Sequence, residues 1–376
     1  MKSIFTKSAV AIVFVLLFAG WGAVGHKIIN QSIYQSFPSA MHFPNTWSTF
    51  LATHASDPDN RKNSDPTESP RHMIDIDVYP EFMANGFISQ NYDSVVASHG
   101  STWVIKQGTL PWAILIWEDS LKRIFKKRNW SMAMQLSADL GHYVGDAHQP
   151  LHLTSNYDGR ATNQNGVHAR YETDLVGRYQ SSIYYSNDSA SYLGNISNYV
   201  FDFVYTDYKY VDSVLYGDSV ATAFAGTNNS QDTAYHSYLQ KYWDICGKQT
   251  FSLMKNASKA AADIIYTAWV DAGSPDPNAT SVNDKPISPA SFNLSQNYPN
   301  PFNPATSIKF SIAEKGKVTL NVYDVCGKKV AELLNGEKEA GNYVISFNAS
   351  GLSSGVYFYE LRSAGSFQSK KMILMK

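Results

Sequence analysis

The run Gly141-His142-Tyr143-Val144-Gly145-Asp146-Ala147-His148-Gln149-Pro150-Leu151-His152 constrains this chain more than any other stretch. His142 and Asp146 are four residues apart, so on a helix they lie on one face. Pro150 ends that helix, and His152 follows at the turn. A second pair at the same spacing, His168 and Glu172, lies in Gly-Val-His-Ala-Arg-Tyr-Glu. Imidazoles and carboxylates converging on one point are the donor set of a zinc site rather than of an apolar core. The reading that follows is a metallohydrolase built on helices.

The chain has 376 residues, room for one large domain and a smaller one. Lys2 and Lys7 precede an apolar run from Ala9 to Ala19 that is too short to span a bilayer, as in a secretory leader over residues 1–20. No other stretch is long and apolar enough to span, so a soluble mature protein is expected. Residues 284–376 carry 11 Lys/Arg against 7 Asp/Glu, and residues 21–283 are left with a charge of −7. An acidic region is a poor non-specific binder of nucleic acid, although bound cations would offset part of that charge. The two cysteines, Cys246 and Cys326, fall in different expected domains, so no disulfide is expected.

Residues 21–272 read mainly as helices. Thr109 with Pro111 opens one, followed by Ile114, Leu115, Trp117 and Leu121. Ser131 is placed as the cap of the next, which runs through Met134, Leu136, Leu140 and Val144 to the His142/Asp146 pair. Residues 251–270 form a third. Residues 186–230, rich in Ser, Asn, Asp and Tyr, read as mixed short helix and loop. A linker is expected over residues 273–290. The period then changes to two, at Val318/Leu320/Val322, Tyr343–Phe347 and Val356–Tyr359, which predicts a small antiparallel sandwich over residues 291–376. The expected fold is an all-α catalytic domain followed by a small all-β Ig-like sandwich.

Residues 142–172 alone supply five candidate ligands, too many for one ion. Upstream stand Asp57 in Ser56-Asp57-Pro58-Asp59, His72 in Arg71-His72-Met73-Ile74-Asp75, and Trp21-Gly22-Ala23-Val24-Gly25-His26. This ordered set resembles the zinc-dependent phospholipase C and single-strand nuclease superfamily over roughly residues 21–272. The resemblance implies three zinc ions. Asp57, His72, His142 and Asp146 would hold the first, and His152, His168 and Glu172 the second. His26, a bridging Asp146 and the amino group and carbonyl of Trp21 would hold the third, provided the leader is cut before Trp21. Zinc polarises phosphoryl oxygens and generates hydroxide near neutral pH. Asp57 is the expected catalytic residue, orienting the attacking water. Arg61 or Lys62 either neutralises a phosphate or is an ordinary surface cation. His54 and His148 are read as non-ligating, and Asp139, Asp158 and Asp174 as solvated.

The substrate stays open between phospholipid and single-stranded nucleic acid. Glu172 and Gly-Val-His-Ala-Arg-Tyr-Glu resemble the bacterial phospholipase C form. Val24 and Pro58 stand where an acid or aromatic would cage choline. His72-Met73-Ile74-Asp75 resembles the nuclease base-binding segment, with Met73 where an aromatic usually stacks a base and Asp75 able to bond a base edge. The expected activity is of phospholipase C type, with a single-strand nuclease as the alternative. From another class, a secreted metal-binding or adhesive protein with a dead site also remains. Asn297-Tyr298-Pro299-Asn300-Pro301-Phe302-Asn303-Pro304, Tyr323-Asp324-Val325, Gly327-Lys328-Lys329-Val330 and the basic Lys370-Lys371 resemble a type IX secretion sorting domain. That implies a Gram-negative bacterium, passage through the periplasm by that machinery, and release or surface anchoring.

Overall fold

The structure is a computed structural model that describes residues 21–186, 188–278, 292–297, 300, 302–363 and 365–375. The expected leader over 1–20, residues 279–290 of the expected linker, and Tyr298, Pro299 and Pro301 of the sorting motif lie outside the described residues. The chain divides into two compact units, 1–278 and 279–376.

The first unit is helical. Its centre is the helix Trp130–Ala147, which packs against Gly22–Ile33, Leu110–Lys126 and the long Tyr235–Asp271. Every residue from Ser137 to Ala147 is buried, so this helix is enclosed on all sides over its last three turns. Enclosure of a histidine and two carboxylates demands partners for each of them. Asn129 begins the helix by accepting from the Met132 backbone N–H, and Ser131 lies inside it. Asn129 precedes the first helical residue, and that is where a capping oxygen reaches the free amides. Thr109 stands at the cap position of Leu110–Lys126, but its hydroxyl donates to the Pro70 carbonyl and caps no helical amide.

Gly141 and Gly145 let the Gly22–Ile33 helix come close. A Cβ at Gly141 would lie 2.4 Å from Asn30 Oδ1 and 2.6 Å from Ile33 Cδ1, and one at Gly145 3.1 Å from His26 Nδ1. Asn30 cannot move away, because its Nδ2 donates to the carbonyls of Leu51 and Ala138. Gly141→Ala is expected to cost about 1–3 kcal/mol by overpacking. Denaturant unfolding of the full chain measures it, and an unchanged midpoint would show that the two helices can separate freely.

Where residues 186–230 were expected to be mixed, the structure has two full helices, Ile196–Tyr208 and Val211–Ala225. The helix expected from residue 251 begins at Tyr235 and has 37 residues. Its added half buries Tyr235, Tyr238, Leu239, Tyr242 and Cys246, a stripe at helical spacing that uses tyrosines as core. The short helix Val167–Ala169 passes into a π-helical turn, Arg170–Leu175, which carries Glu172. Such wide turns often mark functional sites.

The second unit has two antiparallel sheets. β1 (Asn293–Leu294), β2 (Ala305–Ile312) and β5 (Gly341–Asn348) form one, in the order β1-β2-β5. β3 (Gly316–Tyr323), β4 (Lys329–Lys338), β6 (Gly355–Ser363) and β7 (Ser366–Leu374) form the other, in the order β4-β3-β6-β7. Ile308, Phe310, Val318, Leu320, Val322, Phe347, Tyr359 and Leu361 fill one core. Each sheet contributes alternate residues to it, as expected for a two-layer sandwich. Cys246 and Cys326 are both free thiols.

Candidate metal centre

Among the described residues, three groups of His, Asp and Glu converge inside the helical unit: Asp59/His72/His142, His26/His142/Asp146 and His152/His168/Glu172. They come from six separate segments, the last being the turn from Val167 to Leu175 that carries His168 and Glu172. His26 lies on the first helix, Asp59 on Asp57–Arg61 and His72 at the end of the turn Ser69–His72. His142 and Asp146 lie on the enclosed helix, and His152 ends the turn Pro150–His152.

In the first group His72 Nδ1 lies 3.0 Å from His142 Nε2. Asp59 Oδ1 is 3.6 Å from both nitrogens. Asp146 Oδ2 approaches the same two atoms, at 2.8 and 3.2 Å. Its other oxygen, Oδ1, faces His26 Nε2 at 3.3 Å. The Asp146 carboxylate therefore presents one oxygen to each of two adjacent groups. The His26 and His142 rings stack with centroids 3.8 Å apart. In the third group His152 Nε2 is 3.2 Å from His168 Nε2, and Glu172 Oε2 is 2.9 Å from His168 and 3.6 Å from His152.

Backbone carbonyls fix which nitrogen of each ring can ligate. His142 Nδ1 lies 2.7 Å from Ala55 O, His152 Nδ1 2.6 Å from His72 O, and His168 Nδ1 3.2 Å from Tyr157 O. A carbonyl only accepts, so each of those nitrogens carries the proton and leaves Nε2 as a lone-pair donor. Ligands about 2.0–2.1 Å from one zinc at the tetrahedral angle stand about 3.3 Å apart, close to what these side chains show. Neither ring nitrogen of His26 makes a hydrogen bond, nor does Asp146 Oδ1, although all are buried. Orphaned buried donors of nitrogen-rich type fit zinc better than calcium or magnesium.

The electrostatics point the same way. Burial alone would lower the His142 and His152 pKa values, but Asp146, together with Asp59 for His142 and Glu172 for His152, raises both. Burial opposes ionisation of Asp146, yet the charges of His142 and His152 hold its carboxyl well below the usual range. Burial lowers the pKa of His26, and His142 adds to that. Without a cation, the buried carboxylates thus favour the protonated forms of His142 and His152. A bound cation takes the place of those protons and releases them, so zinc affinity is expected to fall as pH drops through the raised histidine pKa values. Calorimetry in buffers of different ionisation heat measures the release, and zinc uptake with no proton release would contradict this arrangement.

The sequence-predicted residues divide. His26, His72, His142, Asp146, His152, His168 and Glu172 are brought together. Asp57 is not. Its Oδ2 lies 2.8 Å from His54 Nδ1 and takes a hydrogen bond from Gln135, and Asp59 stands with His72 and His142 instead. The two are two residues apart on one short helix, so only one of them can face the histidines. Trp21 is fully buried, with its indole N–H on the Gly145 carbonyl at 2.7 Å. Arg61 is engaged by Asp139 at 2.9 Å and Glu68 at 3.3 Å. Asp139, expected to be solvated, is therefore buried as that ion-pair partner. Asp158 and Asp174 are also engaged, by the Gly166 N–H and the Tyr235 hydroxyl. Lys62 is no ordinary surface cation, since its ammonium sits 2.7 Å from Asp59 Oδ1. Met73 is half-buried. Asp75 has an unpaired Oδ1, and burial with nearby Asp77 pushes its carboxyl up to about 6. His148 stands outside the groups, with Nδ1 against Asp207 and its ring stacked on Phe203. Sequence reasoning missed Asp59 and the buried Glu68. The only signal for Asp59 was its place in Asp57-Pro58-Asp59.

No curated protein matches the chain in sequence. Among solved structures, the alpha toxin of Clostridium absonum aligns at 13% identity with TM-score 0.40, over 94% of this chain and 98% of that one. The alpha-toxin of an avian strain of Clostridium perfringens aligns at 11% with TM-score 0.43, over 95% and 98%. The family model described as the secretion system C-terminal sorting domain matches residues 296–375, and the β unit of this chain is such a domain.

Proposed function

We propose that the helical unit is a zinc-dependent hydrolase of phosphoric esters, of phospholipase C type. The observation that supports this most is the convergence of three His/Asp/Glu groups, with both ring nitrogens of His26 and Oδ1 of Asp146 buried and making no hydrogen bond. In this reading His72, His142, Asp146 and Asp59, in place of Asp57, hold one zinc. His152, His168 and Glu172 hold the second. His26 and the other oxygen of Asp146 would hold a third, completed by the terminal amino group of Trp21 once the leader is removed. Zinc supplies a Lewis acid for phosphoryl oxygens and makes water acidic enough to attack near neutral pH. The chain's own part is orientation. Ala55, His72 and Tyr157 carbonyls aim the imidazoles, and Lys62 steadies Asp59.

A second reading, single-strand nuclease, draws support from Asp75. An unpaired carboxylate oxygen two residues past Met73 suits a base edge better than a lipid headgroup ester. One comparison tests both: zinc-loaded protein against phosphatidylcholine, phosphatidylethanolamine, single-stranded DNA and RNA. Release of phosphorylated headgroup supports the first reading, release of nucleotides the second, and hydrolysis of none of them would overturn both. For the β unit we propose type IX export through the periplasm of a Gram-negative bacterium, ending in release or surface anchoring. No described helix is long and apolar enough to cross a membrane.

A further inference from the structure

His72 differs from the other imidazoles of the centre. His142, His152 and His168 each turn Nδ1 to a backbone carbonyl and leave Nε2 for a ligand. His72 is reversed. Its Nδ1 faces His142 Nε2, Asp146 Oδ2 and Asp59 Oδ1. Its Nε2 points away, 3.4 Å from Oε1 of Glu68, one helical turn earlier. The Glu68 side chain is 1% exposed. Its Oε2 takes Arg71 at 2.9 Å and Arg61 at 3.3 Å, and the Tyr143 hydroxyl donates to Oε1. Tyr143 follows His142 on the enclosed helix, so the clamp on Glu68 and the donor beside His72 share one element.

We propose that Glu68 is a positioning residue. Its carboxylate receives the Nε2–H of His72 and so commits His72 Nδ1 to the cation shared with Asp59, His142 and Asp146. The inference rests on the zinc reading given above. A neutral carbonyl fixes a tautomer. A carboxylate also makes the imidazole a stronger donor, and such partners tune metal affinity nearly as much as the ligands do. The two arginines fix the carboxylate without competing for Oε1. Each keeps a further acid when Glu68 is neutralised, Asp139 for Arg61 and Asp65 for Arg71, so the fold should survive the change.

The test is chelator competition with zinc on the full chain, comparing Glu68→Gln with Arg71→Gln. Arg71→Gln removes a partner of Glu68 but leaves Glu68 beside His72. If Glu68 positions His72, Glu68→Gln weakens one of the bound zinc ions by about 10–100-fold. The ion at His152, His168 and Glu172 keeps its affinity, and Arg71→Gln matches the parent protein. The absorption of the cobalt-substituted protein should shift in Glu68→Gln alone. If Glu68 only anchors arginines, both variants lower the melting temperature alike and zinc affinity stays that of the parent, which overturns the proposal. Parent protein that takes up no zinc overturns the metal reading itself, a distinct outcome. Should Glu68→Gln fail to fold by circular dichroism, Glu68→Asp replaces it. That variant keeps the charge but not the reach, and the same loss of affinity is expected.

Discussion

Asp146→Asn is expected to reduce zinc content from about three ions per chain to about one and hydrolysis by at least about a hundredfold. The amide keeps the volume of the carboxylate and loses the anion. One oxygen of Asp146 faces His72 and His142, and the other faces His26. A single substitution therefore strips a donor from two adjacent sites. The third site, at His152, His168 and Glu172, keeps its own carboxylate and should stay filled. Elemental analysis beside a rate measurement gives both numbers, and near-normal rates with full zinc would show that the two oxygens do not serve two ions. The metal-free protein should respond to pH in a definite sense. A carboxyl held below its usual range stabilises the fold above its unfolded pKa, and that contribution is lost as pH falls through the folded value. Asp146→Asn should lose that dependence.

Removing the cations with a strong chelator is the other large effect. Hydrolysis should disappear and return with added zinc. One ion at a free concentration a thousand times its Kd adds about 4 kcal/mol. At about 2–4 °C per kcal/mol for a domain of this size, its loss lowers the melting temperature by roughly 8–16 °C. The drop should shrink at lower pH, for a reason of sign. His142 and His152 have raised pKa values, so in the metal-free chain their stabilisation is complete below the unfolded histidine pKa and is lost as pH rises through the folded values. Acid therefore favours the metal-free fold and disfavours zinc at once. Calorimetric scans with and without chelator at two pH values measure this. A melting temperature indifferent to chelator in protein shown to hold zinc would mean that the ions do not couple to folding.

Four of the residues now drawn together were visible because helical spacing aligns His142 with Asp146 and His168 with Glu172; His152 followed from its place after Pro150, and His26 and His72 from motifs that resemble a known family. Asp59 was not visible. Choosing between two acids on one short helix depends on His54 and Gln135, which hold Asp57 on the other side. Glu68 was hidden for a related reason: its partners Tyr143 and Arg61 are close in space, while Tyr143 is 75 residues away in sequence. In the sandwich, Val318, Leu320 and Val322 showed strict alternation and were legible. β4 carries Glu332, Asn335 and Glu337 among its apolar residues and lies at a sheet edge, where polar side chains are tolerated and the period weakens. The helices from Ile196 and Val211 were obscured by serine, aspartate and tyrosine, which suit loops by composition but here face solvent or close hydrogen bonds.

The enclosed helix also sets an order in time. Its buried flanks are covered by the first helix and by Tyr235–Asp271, the last element of its unit to be synthesised. A chain emerging from the ribosome has all seven of those side chains, the last at residue 172, long before it has the helix that seals them. Donors made early must therefore wait, exposed to any passing cation, until the final hundred residues of the unit arrive. Cation capture that is selective in the finished protein would be open to mistakes during synthesis, and truncated chains ending before residue 235 are where promiscuous uptake should first be seen.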